Sequence, residues 1–142
     1  MSGWTAPAAR SVAALAIGLA AGLLTAGCTP APLGLAGVIL DGGQPTVLVR
    51  PCPGIAVTQV WVYQRASDLR WGAIDRGHHP VNDVRLLRAP EGWTAPDVPA
   101  TSRLNDFSPA TTYQIQLATD HPEKGGIDLV EFTLEDLSDA TV

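Results

Sequence analysis

Several short segments alternate apolar and polar residues with the two-residue period of a β-strand, and a continuous apolar run stands near the start of the chain. Gly37-Val38-Ile39-Leu40 reads as a first strand, stopped by the turn signal Asp41-Gly42-Gly43. Thr46 to Arg50 is rich in β-branched residues and ends at Pro51, and Pro53-Gly54 marks the next turn. Ile55 to Gln64 is the clearest strand. Val57, Gln59, Trp61 and Tyr63 fall on one side and Thr58, Val60 and Val62 on the other, so both faces carry apolar load, as in a central strand of a sandwich. Leu69 to Ile74 predicts a shorter strand with Leu69, Trp71 and Ala73 on one face, and Val84 to Arg88 another brief one. Tyr113 to Thr119 sets Tyr113, Ile115 and Leu117 against Gln114 and Gln116. After a polar turn at His121 to Gly126, Ile127 to Leu134 sets Val130, Phe132 and Leu134 against Glu131 and Thr133.

Between these runs, Asp75 to Asp83 reads as a loop, Ala89 to Asp106 as an irregular Pro-rich segment, and Glu135 to Val142 as an acidic, frayed end. No amphipathic helix interrupts the series. About six or seven short strands with turn signals between them predict an all-β fold, a small antiparallel β-sandwich spanning residues 37–142.

The apolar run at the start has the parts of a secretory signal. Arg10 and the α-amino group supply positive charge, and Val12 to Leu24 contains no charged residue. That core is about 13 residues long, too short for a bilayer that needs about 20. Ala26 and Gly27 then stand directly before Cys28. The stretch Leu24-Thr25-Ala26-Gly27-Cys28 resembles the lipobox of bacterial lipoproteins, with the leucine one place earlier than that family usually has it. The resemblance implies diacylglyceryl transfer to the Cys28 thiol, cleavage between Gly27 and Cys28, and acylation of the new amino group. Residues 1–27 would then be a signal peptide and 28–36 a lipidated tether on the extracytoplasmic face of the cell membrane. Two or three acyl chains anchor stably where one is marginal. The alternatives are an ordinary signal peptide cleaved near Ala26, and an uncleaved anchor, which the short apolar core disfavours.

Charge and cysteine content narrow the function more than the fold. A formal net charge of -5 argues against a nucleic-acid partner, which needs a basic face. The middle is basic, with Arg50, Arg65, Arg70, Arg76, Arg85 and Arg88 against Asp68, Asp75 and Asp83, and the tail from Asp120 is acidic. Lipidation of Cys28 would leave Cys52 without a mate inside the chain. In Pro51-Cys52-Pro53 the favoured reading is a small apolar residue at a strand end, over a reactive thiol or a cross-link to a second protein.

The series Phe107-x-Pro109-x-Thr111-x-Tyr113-x-Ile115-x-Leu117 resembles the sixth-strand entry of fibronectin type III domains, where a leucine normally stands at the Phe107 place. The likeness covers about the final third of the chain. It implies a fibronectin/immunoglobulin-like sandwich in which the Tyr113 hydroxyl bonds back to the backbone at the corner.

Chemistry-bearing patterns are sparse. Ser67, Ser102, Ser108 and Ser138 lack the Gly-flanked elbow of a hydrolase nucleophile, and no glycine-rich loop opens a helix. Asp75, His78, His79 and Asp83 form the best polar cluster and carry metal-ligand chemistry. Adjacent histidines on an extended chain point in opposite directions, however, so no metal, cofactor or catalytic residue is assigned. Trp61 and Trp71 read as core; Trp93, after Glu91-Gly92 in the Pro-rich segment, is the candidate partner contact. The expectation is a membrane-anchored, extracytoplasmic binding or accessory module with an envelope protein or a glycan as partner. The alternatives are a small metal-dependent envelope enzyme using the 75–83 loop, and a purely structural surface domain.

Overall fold

The glycine pair expected as a turn closes the first hairpin. β1 (Gly34–Asp41) and β2 (Gln44–Pro51) pair in register from Gly34↔Pro51 to Asp41↔Gln44. Gly42 and Gly43 take φ of 58° and 77°, the two left-handed residues that a tight hairpin turn needs. The computed structural model describes residues 32–77, 79–127 and 129–137. The expected signal peptide 1–27, Cys28 and His78 lie outside the described residues. β1 starts at Gly34, so the last residues given to the tether are already paired strand. Gly34 is required there: a Cβ would sit 2.7 Å from the Arg50 carbonyl oxygen.

The remaining strands are β3 (Val57–Gln64), β4 (Arg70–Asp75), β5 (Asp83–Arg85), β6 (Trp93–Thr94), β7 (Tyr113–Thr119) and β8 (Val130–Phe132). They form two sheets, β1-β2-β5 and β6-β4-β3-β7-β8, with every pairing between named strands antiparallel. Strands one, two and five on one sheet, and four, three, seven and eight on the other, follow the A-B-E and C′-C-F-G order of a fibronectin/immunoglobulin-like sandwich. The two-residue β6 is an added edge. Among the described residues no helix is long and apolar enough to cross a membrane.

The core lies between the sheets. Val47, Val49 and Val84 come from the first, and Val60, Val62, Trp71, Ala73, Ile115, Leu117 and Phe132 from the second. Tyr113 is fully buried, and its hydroxyl oxygen accepts the Ser108 N–H at 2.8 Å, closing the expected corner. Phe107 packs edge-on against the Tyr113 ring, with centroids 4.8 Å apart.

One expected face assignment is overturned. The β3–β7 register shifts between Val57 and Gln59, a bulge at Thr58. An extra residue flips everything before it, so Val57 joins Val60 and Val62 in the core. Gln59, Trp61 and Tyr63 face outward.

Candidate functional site

The expected contact residue, Trp93, is 6% exposed. It lies opposite Asp75 in the β4–β6 pairing, and its indole N–H donates to the His79 carbonyl at 3.3 Å. A two-residue strand holds it against the core, so its ring is not available to a partner. Trp71 is buried as expected.

The Asp75 carboxylate is an anchor for its own loop. Its side chain is 2% exposed and accepts the backbone N–H groups of Gly77 at 2.9 Å and His79 at 2.6 Å. The His79 ring nitrogen Nδ1 lies 3.0 Å from it. Burial works to raise the Asp75 pKa, but the hydrogen bonds from the His79 ring, Gly77 and the His79 backbone, with the His79 charge, outweigh it. The carboxyl is held below its ordinary value. The His79 ring packs against Gly77 and Gly92, where a Cβ would come within 2.5 and 2.9 Å of it. Asp83 is exposed on β5. Among the described residues no three His, Cys, Asp or Glu side chains gather as a metal site. Cys52 is a free, exposed thiol and does not fill core space.

The distinctive surface is the outer face of the five-stranded sheet. Trp61 stands opposite Gly72 on β4 and Gln116 on β7. A Cβ at Gly72 would meet three atoms of the Trp61 ring within 2.5–2.8 Å, so the indole lies across β4 over the glycine. This arrangement covers the backbone of a strand glycine and fixes the ring. The indole N–H donates to Gln59 Oε1 at 3.0 Å, leaving the Gln59 NH₂ group to donate elsewhere. Tyr63 lies beside it, with ring centroids 6.2 Å apart and planes within 22°.

Gln59, Trp61, Tyr63, Gln116 and the 48%-exposed Leu129 line a shallow cleft of about 410 Å³ over these rings. Among the described residues its lining contains no charged side chain. Among the described residues charge gathers at one end of the face, where Arg70 stands opposite Tyr63 and Glu131 pairs with Arg65 at 3.3 Å and accepts from Gln114. Comparison with family models, curated proteins and solved structures finds no match.

A second cleft, of about 510 Å³, opens at the β4 edge between Trp71 and the segment around Val98 and Leu104. Arg70, Arg103 and Asp97 are its charged lining residues. Gly72 belongs to this lining too, so the cleft abuts the strand on which the Trp61 ring lies.

The sequence groups Gln59, Trp61 and Tyr63 on one side of β3 but with Val57 among them, so Trp61 reads as core; the Thr58 bulge turns Val57 inward and leaves Trp61 half-buried on the outer face. A usable signal was present nonetheless: Trp61 and Tyr63 alternate with two valines, and Gln114 and Gln116 recur at the same period on β7.

Proposed function

We propose that the chain is an extracytoplasmic lipoprotein, anchored through Cys28, whose β-sandwich is a glycan-binding module working through the outer face of the five-stranded sheet. One observation carries the binding surface: the Trp61 indole is held across Gly72 beside Tyr63, next to the amides of Gln59 and Gln116. A pyranose presents one face of C–H bonds, whose weakly positive hydrogens complement the negative face of an aromatic ring. Its hydroxyls need neutral donors and acceptors at the rim, which Gln59 and Gln116 supply. Because the ring is already positioned, binding loses little rotamer freedom. The cleft is of the size that ligand sites occupy, about 300–1,000 Å³.

Anchoring rests on the lipobox resemblance and on the stable membrane hold of two or more acyl chains. Cys28→Ser is expected to move the protein from the membrane to the soluble fraction and to abolish lipid labelling. A variant that kept both would contradict the anchor.

The binding surface is tested by calorimetric titration of the full chain in detergent with cello- and chito-oligosaccharides. Wild type is expected to bind one of these series, and Trp61→Ala to lose about 2 kcal/mol, roughly thirtyfold in affinity. Since Trp61 also covers Gly72, Tyr63→Ala serves as the second variant, with a loss in the same direction. Equal affinity in wild type and both variants, or binding of neither series, would overturn the assignment.

A further inference from the structure

We infer that the glycan is anionic, and that Arg70 and Arg103 take its carboxylate or phosphate group in the cleft beside the aromatic face. This deepens the glycan-binding reading and rests on it. The two arginines face each other across an isolated parallel bridge between β4 and the segment after the Ala100–Ser102 turn. Opposed residues of neighbouring strands leave the backbone on the same face, and like charges placed so repel. Among the described residues neither guanidinium forms an ion pair with a carboxylate. Arg103 spends one N–H on the Val98 carbonyl, at 3.0 Å, which fixes its direction; Arg70 makes no side-chain hydrogen bond to the described residues. Asp97 lines the same cleft, leaving two positive charges against one negative.

An anion between the guanidiniums relieves the repulsion and receives charge-assisted, fork-shaped hydrogen bonds, the geometry that suits carboxylate and phosphate. Trp71 and Leu104 are among the cleft's apolar lining residues. The cleft also lies along β4, the strand that the Trp61 ring covers. Arg70 is the register partner of Tyr63, and Gly72, one of the cleft residues, lies under Trp61. A sugar stacked on these rings can therefore place an acidic substituent towards β4, where the arginines stand.

The test follows the side-chain N–H resonances of the full chain in detergent micelles while oligogalacturonate, glucose 6-phosphate, inorganic phosphate and a cello-oligosaccharide are added separately. Oligogalacturonate or glucose 6-phosphate is expected to shift the Nε–H signals of Arg70 and Arg103 together with the Trp61 indole N–H. The tighter of the two shows whether carboxylate or phosphate is preferred. The doubly substituted Arg70→Gln, Arg103→Gln chain is expected to bind the preferred anionic sugar about tenfold more weakly or worse, with affinity for the neutral sugar unchanged. If neither anionic sugar nor inorganic phosphate moves the arginine signals, the anion site is refuted, whatever Trp61 does. If the arginines respond while the Trp61 signal stays fixed with every sugar, the aromatic reading fails and the cleft is a bare anion site. That outcome overturns the inference of an anionic glycan as well.

Discussion

The two sheets turn very different faces to the outside. On β1, β2 and β5 the outward positions include Leu35, Leu48, Arg50, Asp83 and Arg85, with Arg85 bonded to Asp41 at 2.7 Å, and these strands hold no aromatic residue. On β3, β4 and β7 the outward positions include Gln59, Trp61, Tyr63, Gly72, Gln114 and Gln116, and among the described residues charge gathers at one end, at Arg70, Arg65 and Glu131. A charged face is satisfied by water and discourages edge or face contacts with other chains. A face of pinned aromatic rings and neutral amides retains stacking and hydrogen-bonding capacity that water uses poorly, which is why it is the side assigned to ligand. The difference lies in outward side-chain chemistry, since the inner faces of both sheets are apolar and build one core.

Several changes would sharpen or break this contrast. The largest expected effect is on Trp61: alanine there should weaken oligosaccharide binding by about 2 kcal/mol, while Leu48→Ala on the opposite face leaves binding unaltered in the same titration. Binding that fell equally with both would erase the distinction between the faces. Next, Tyr113→Phe removes the bond from the Ser108 N–H and should cost about 1 kcal/mol, lowering Tm by about 5 °C in a thermal melt without touching the neutral-sugar affinity.

A smaller, pH-confined effect belongs to Asp75. Its carboxyl is held below its ordinary value, so the stability it contributes is complete above the unfolded-state pKa, about 4, and drains away as pH falls through the lower folded value. Melts taken across that range should show a shallower acid loss for Asp75→Asn than for wild type. Identical acid profiles would show that the Gly77 and His79 bonds do not favour the ionised carboxylate. The smallest effect is expected from Arg85→Gln, which breaks the exposed pair with Asp41. Stability should move by about 0.5 kcal/mol or less, with sugar binding unchanged.

Much of the frame was legible in the residues themselves. Gly42-Gly43 announced its hairpin because few other pairs accept two left-handed conformations, and the resemblance of Phe107 to Leu117 to a fibronectin type III strand entry implied the bond that Tyr113 makes at the corner. The alternation of β7 translated directly into buried Tyr113, Ile115 and Leu117. The candidate site was less legible for two physical reasons. A single bulged residue at Thr58 reverses the side occupied by Val57 relative to Trp61, and local periodicity carries no mark of a one-residue insertion. Trp93 is buried by a two-residue strand, too short to show any period, and by a bond to a loop 14 residues away in sequence. Pro-rich surroundings made it look open, but tertiary packing decided otherwise. The Asp75–His79 cluster was visible as chemistry, whereas its use as a loop anchor depends on backbone donors that sequence cannot point to.

The central claim is that a flat, fixed Trp61 indole makes the working face, and Gly72→Ala tests it most directly. The substitution leaves every aromatic and amide in place, but its new methyl group would occupy the position now 2.5 Å from the Trp61 ring. Calorimetric titration of this variant with the oligosaccharide that wild type binds should show affinity lowered by about tenfold or more. Unchanged affinity, with an indole displaced from β4, would contradict the account.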